Sequence, residues 1–191
     1  MIKVKVILGS TRPNRFGEKI LPWVKENLSA KPEFEHEVLD LRDYSLPFYD
    51  QPVSPSTVKG GAYANEAVRN FAKKIAEADA FLIITPEYNH STSAVLKNAL
   101  DAISAEWNKK PVAFVAYGSA GGARAVEHLR NIAVELQMAP VRSAVYIFMP
   151  WLLLDEKGAL KEGALAPYAQ AMQGTLDQLF WWAKALKAAR N

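Results

Sequence analysis

The strongest constraint in this chain is a pair of short, almost continuously apolar runs. Ala80–Ile84 reads Ala-Phe-Leu-Ile-Ile and Val112–Tyr117 reads Val-Ala-Phe-Val-Ala-Tyr. Neither alternates between apolar and polar residues, so each is expected as a strand covered on both faces. Such strands belong to parallel sheets, whose neighbours are joined by crossovers, and the crossovers supply the covering helices. The chain has the remaining parts. Lys3–Leu8, His36–Leu41 and Val141–Phe148 read as further strands, the second held only by Val38 and Leu39. Between them run helical patterns over Gly17–Leu28, Tyr63–Ala78, Thr92–Ile103, Ala123–Leu136 and Leu165–Ala188. Pro22 is expected in the first turn of its helix, where a missing N–H is harmless. Alternating strand and helix predicts an α/β three-layer sandwich. Five parallel strands fit the flavodoxin-like order 2-1-3-4-5.

At 191 residues the chain can bury a full core and is expected as one domain over residues 1–191. It has no cysteine, which excludes a disulfide scaffold, a thiolate nucleophile, a cysteine-ligated zinc and a cysteine-held iron–sulfur cluster. Its 23 basic and 20 acidic side chains leave a net charge of +3. That excess is spread along the chain without the basic stripe of a nucleic-acid-binding protein. The histidines, His36, His90 and His128, fall in separate segments, so no metal site is expected. The start, Met1-Ile-Lys-Val-Lys-Val-Ile-Leu-Gly, is too short and lysine-interrupted for a signal peptide. No apolar run approaches the ~20 residues of a membrane span. A cytoplasmic protein with no nucleic-acid or membrane partner is expected.

In such sheets ligands bind beyond the carboxyl ends of the strands, where strand order reverses. Under order 2-1-3-4-5, Gly9–Gly17, Pro86–Ser93 and Gly118–Arg124 converge there. The first segment, Gly-Ser-Thr-Arg-Pro-Asn-Arg-Phe-Gly, joins a strand to a helix N-terminus. Free amides, the helix dipole, two hydroxyls and two guanidinium groups are chemistry for a single phosphate. A solvated turn with two surface arginines is the alternative. Gly-Lys-Ser/Thr and Gly-x-Gly-x-x-Gly are both absent, which excludes a Walker loop and counts against a dinucleotide site. The second segment, Pro86-Glu87-Tyr88-Asn89-His90-Ser91-Thr92-Ser93, puts a ring, a carboxylate and an amide where a planar ligand can lie. Ser91 or Thr92 also suits a helix N-cap, and His90 reads as a bystander. In the third, the glycines of Gly118-Ser119-Ala120-Gly121-Gly122 either let amides approach a ligand or simply permit a tight turn. Its serine stands one residue short of a Gly-x-Ser-x-Gly elbow, so no serine triad is assigned.

Taken together, Gly9-Ser10-x-Arg12, Pro86-Glu87-Tyr88-Asn89 with Ser91, Gly118-Ser119-x-Gly121-Gly122 and the helix sequence Leu96-Lys97-Asn98-Ala99-Leu100-Asp101 resemble the NADPH-dependent FMN reductase family. That family includes flavodoxin-like quinone, azo-dye and chromate reductases, and the resemblance runs from Met1 to about Phe148. It implies FMN held without a covalent bond and reduced by NADPH. Ser10, Arg12, Asn14, Arg15, Phe16 and Gly17 would hold the phosphate. Pro86, Glu87, Tyr88 and Asn89 would run along the isoalloxazine, and Gly118, Ser119, Gly121 and Gly122 would meet its pyrimidine edge. Many relatives carry a small hydroxyl or amide residue where this chain has Arg15 and Gly17, so those two are the departure from the pattern.

The resemblance further implies hydride transfer through FMN to a small-molecule electron acceptor by a ping-pong scheme, with no catalytic side chain required. It also implies a homodimer or homotetramer. Tyr44, Leu46, Phe48 and Tyr49, with Trp151–Leu154 and Trp107, are candidates for interface or for intrachain packing. Two other readings stand beside this one. One is a flavodoxin-type electron carrier that binds FMN without NADPH turnover, against which the charge of +3 counts. The other is a flavin-free scaffold.

Overall fold

The computed structural model of the protein describes residues 1–190. Five parallel strands, β1 (Ile2–Leu8), β2 (Phe34–Asp40), β3 (Ala80–Pro86), β4 (Pro111–Gly118) and β5 (Ala139–Phe148), form one sheet in the order β2-β1-β3-β4-β5. This is the expected order. Every residue of β3 is buried, because it lies in the middle of the sheet with helices on both sides. One face is covered by α1 (Phe16–Ser29) and α5 (Ala169–Arg190), whose Ile20, Val24, Leu28, Leu176 and Leu179 meet Val4, Val6, Leu82 and Val115. The other is covered by α2 (Glu66–Ala76), α3 (Ala94–Asp101) and α4 (Ala123–Glu135), which bring Phe71, Ile75, Leu96, Leu100 and Leu129 against Ile7, Phe81, Ile83 and Phe114.

Where boundaries move from the sequence expectation, a cap or a turn is the cause. Strand β2 begins two residues early and stops at Asp40, because Asp40 Oδ1 accepts the Arg42 amide at 2.9 Å and starts a 3₁₀ turn over Leu41–Asp43. Helix α2 starts at Glu66 because Asn65 takes the amides of Ala67 and Val68. Pro22 lies in the second turn of α1, not the first, so the helix has a proline in its interior. Trp107, a candidate for an interface, is instead fully buried between Phe71 and Phe81, with ring centroids 6.0 and 4.9 Å away. Tyr44 and Leu46 also pack inward, Tyr44 edge-on to Phe71 at 5.1 Å. Phe48, Trp151 and Leu152 are the members of those loops that stay exposed.

At the amino ends of the strands, opposite the loops discussed below, Asp79 acts as a latch. It accepts the Lys3 amide at 3.0 Å, Lys187 Nζ at 2.7 Å and Arg190 Nη2 at 3.1 Å, fastening α5 to β1 and β3. No helix among the described residues is long and apolar enough to cross a membrane.

Candidate functional site

The carboxyl ends of β1, β3 and β4 deliver their three loops to one open crevice of about 510 Å³, a volume typical of small-molecule sites. Its walls come from Arg12–Phe16, Pro86–Tyr88 and Tyr117–Ser119, and Pro150, Trp151 and Leu154 close one side. A second, apolar cavity of about 140 Å³, between the Pro47–Val53 loop and α2, is too small for a nucleotide.

The first loop is built around its carbonyl groups. Arg15 donates Nη1 to the Ser10 carbonyl and to Asp40 Oδ1 at 2.7 Å, and Nη2 to Asp40 Oδ2. Arg42 donates to the carbonyls of Thr11 at 3.3 Å and Arg12 at 2.6 Å, and reaches Glu18 Oε2 at 3.3 Å. In a trans peptide the N–H points away from the preceding carbonyl. Drawing the carbonyls of residues 10 to 12 to one side therefore turns the Thr11 and Arg12 amides to the other. Arg15, the residue before α1, offers no capping oxygen, and the Tyr117 hydroxyl lies beside Gly17, so the preceding loop does not cap the positive end of the helix dipole. Ser10 is buried with Oγ 3.2 Å from Tyr88 Oη, which links this loop to the second.

Arg15 is the residue whose place differs most from expectation. It neither points to solvent nor offers a free fork, since its guanidinium is buried against Asp40. Its hydrogen bonds to Asp40 outweigh burial and hold its pKa above the ordinary value. Burial by itself pushes the Asp40 carboxyl up, but the Arg15 hydrogen bond and the Arg42 amide together hold it below the usual range. Arg12 is exposed and forms no ion pair among the described residues.

The second loop leaves β3 at Pro86 and reverses through Tyr88–Ser91. The Tyr88 and Ser91 amides and carbonyls exchange hydrogen bonds at 2.8 and 3.0 Å, with Asn89 and His90 both left-handed (φ 49° and 68°), a two-residue primed turn. His90 stays exposed, and Ser91 is held by His128 Nδ1 at 2.9 Å. Ser93, not Ser91 or Thr92, caps α3 by accepting the Leu96 amide. Glu87 turns inward. Its carboxylate, 3% exposed, accepts from the Arg124 amide at 3.1 Å and Nε at 2.7 Å, and from Nη2. Burial pushes this carboxyl up, but the Arg124 bonds prevail and hold it below the usual glutamate range.

That carboxylate therefore sits on the N-terminus of α4. In the third loop Gly122 (φ 81°) brings the backbone so close to β4 that a Cβ would stand 2.6 Å from that of Ala116. Close packing of loop on strand is thus what Gly122 supplies, and Gly121 packs likewise against Tyr146 and Phe148. Of the expected site residues, Arg12, Asn14, Arg15, Phe16, Pro86, Glu87, Tyr88, Gly118 and Ser119 line the crevice. Ser10, Gly17, Asn89, Gly121 and Gly122 stand behind or beside that lining. Sequence reading passed over Asp40 and Arg42, and took Trp151 for interface or packing where it lines the crevice. The first two had a signal: in order 2-1-3 the end of strand two adjoins the loop after strand one, where a carboxylate faces arginines.

The donor set suits a phosphorylated aromatic ligand. Open helix amides and Arg12 lie at one end, and Tyr88, Tyr117 and Trp151 present aromatic rings along the crevice. Sheet order and the crevice at the carboxyl ends of the strands together define a flavodoxin-like fold. The sequence comparisons give the family. A model of NADPH-dependent FMN reductases matches residues 2–150, and the chain belongs to that family of oxidoreductases, which use NAD(P)H and FMN. The chain is 38% identical over 146 residues to an NAD(P)H-dependent FMN reductase of Schizosaccharomyces pombe, covering 75% of this chain and 72% of the other. It is 34% identical over 168 residues to an NADPH:quinone oxidoreductase of Arabidopsis thaliana, covering 84% and 82%. The solved structure of a flavoenzyme NAD(P)H:(acceptor) oxidoreductase from Paracoccus denitrificans aligns with a TM-score of 0.73 at 26% identity, covering 97% of this chain and 98% of that one.

Proposed function

We propose that the crevice holds FMN with its phosphate at the N-terminus of α1, and that the protein reduces quinone, azo, flavin or metal-oxyanion acceptors with NADPH by a ping-pong scheme. The observation that carries this reading is the α1 N-terminus beside Arg12, where no N-cap oxygen and no carboxylate stands, in contrast to Ser93 on α3 and Glu87 on α4. Ser10, Arg12 and backbone amides of the loop between Thr11 and Gly17, Pro13 having none to give, bind the phosphate. Pro86–Asn89 and Gly118–Gly122 frame the ring. When bound, FMN supplies the redox chemistry, taking a hydride from the nicotinamide and returning two electrons to the acceptor. The protein orients both partners, and no side chain is assigned as acid or base. One open crevice serves donor and acceptor in turn, which is the physical basis of the ping-pong order.

On this reading the chain is a single domain working in the cytoplasm as a homodimer or homotetramer. Exposed Phe48, Trp151 and Leu152 are the surface such an assembly covers. The test is anaerobic stopped-flow mixing of FMN-saturated protein with NADPH, followed in the flavin band. Rapid bleaching, reversed by a quinone, is the expected result. Flavin that stays oxidised would replace the reductase with a flavodoxin-type electron carrier.

A further inference from the structure

We infer that Asp40 and Arg42 are positioning residues of the phosphate loop, acting through Arg15 and the loop carbonyls and not on the phosphate. The inference rests on the proposal that FMN binds at α1. Both residues lie outside the three loops, at the end of β2 and in the turn after it. Asp40 engages both terminal nitrogens of Arg15 and also accepts the Arg42 amide at 2.9 Å. One carboxylate thus fixes two arginines. Those arginines in turn hold three consecutive carbonyls, those of Ser10, Thr11 and Arg12. The charges explain why the arginines are not themselves the anion's ligands. Arg15 is matched by Asp40, with Glu18 Oε2 3.5 Å from its Nε, and Arg42 is matched by the same Glu18. Arg12 is left as the cation available to a phosphate. A planar guanidinium is needed for this work, since it binds a carboxylate and a carbonyl at once where an ammonium offers no fixed fork.

The two possible roles of Arg15 predict opposite outcomes when Asp40 loses its charge. Were Arg15 a phosphate ligand, Asp40→Asn would free a cation and tighten FMN. If Asp40 positions the loop, the same change weakens FMN by about tenfold, the scale of one lost charge-assisted hydrogen bond. Riboflavin has the same ring and no phosphate, so its affinity stays within about twofold.

The experiment titrates FMN and riboflavin into wild type, Asp40→Asn, Arg42→Ala and Arg42→Lys by fluorescence quenching, with amide exchange of residues 10 to 17 measured on the flavin-free proteins. Arg42→Ala is expected to weaken FMN by about fivefold and speed exchange in the loop, with Arg42→Lys recovering part of both. Asp40→Asn that binds FMN as tightly as wild type, or tighter, overturns the inference, as does an equal loss of both flavins. Should Asp40→Asn fail to fold, Arg42→Ala decides by the same FMN-to-riboflavin ratio. Wild type that binds riboflavin as well as FMN, or neither, overturns the FMN proposal itself.

Discussion

Two helices start on the same crevice and treat their N-termini differently. The first turn of α4 is filled from within the protein, by the buried Glu87 carboxylate reaching across from the second loop. The start of α1 has no capping oxygen from its N-cap residue and no carboxylate seated on it, and its preceding loop is held from behind by arginines. Both helices carry the same kind of partial positive charge at their start. The difference is that one carries an internal carboxylate built into the wall and the other does not. On the proposed function an FMN phosphate takes at α1 the part that Glu87 takes at α4.

The comparison breaks most severely if the wall itself is disturbed. Gly122→Ala puts a Cβ into Ala116 at a left-handed position, and should cost about 3 kcal/mol of stability from backbone strain and overpacking together. Urea denaturation measures it, and a loss below about 1 kcal/mol would show the wall to be pliable. On the open side, Arg12→Ala should weaken FMN by about 1.5–3 kcal/mol, the worth of hydrogen bonds to a charged group. Unchanged FMN affinity in a titration would place the phosphate elsewhere.

Acid sharpens the contrast. The Glu87 carboxyl is held below its ordinary value of 4.5 in the folded protein, so its stabilising contribution is complete above that pH and is lost as pH falls through the lower folded value. Glu87→Gln should lower stability evenly across the neutral-to-alkaline range, where the carboxylate contributes in full, and flatten the acid limb. A profile parallel to wild type below pH 4.5 would remove Glu87 from the account. The smallest effect is expected at His90, whose side chain is outside the crevice lining. His90→Ala should leave the rate of flavin reduction by NADPH within about twofold, since an exposed loop side chain that is not part of the lining contributes little. A fall of several orders of magnitude would give that histidine a chemical role.

The strand order and the convergence of the three loops were legible because both follow from local patterns. Continuous apolar runs mark β3 and β4, and loops after strands one, three and four must meet where the order reverses. What was not legible depends on pairs far apart in sequence. The use of Arg15 turns on Asp40, reachable only by combining the strand order with the charge of both residues, and that of Glu87 on Arg124, which no spacing rule connects. Trp107 escaped for a related reason: a large aromatic in an irregular segment reads equally as surface or core until its neighbours Phe71 and Phe81 are in place. The glycines of the third loop divide similarly. Composition alone leaves a ligand cradle and a tight turn equally open, and the contact of Gly122 with β4 shows the close packing of loop on strand.

The Asp79 latch has a bearing on how such a protein can diversify. Lys3, Asp79, Lys187 and Arg190 fasten the sheet at one end, and the crevice is assembled at the other from residues that take no part in that fastening. Loops at the crevice can therefore be lengthened, exchanged or recoded for a different electron acceptor without loosening what keeps the terminal helix in place. The division lets natural variation, or a protein engineer, change exposed crevice positions such as Arg12 and His90 independently of the latch, while buried crevice-end positions such as Gly122 and Glu87 stay constrained by packing.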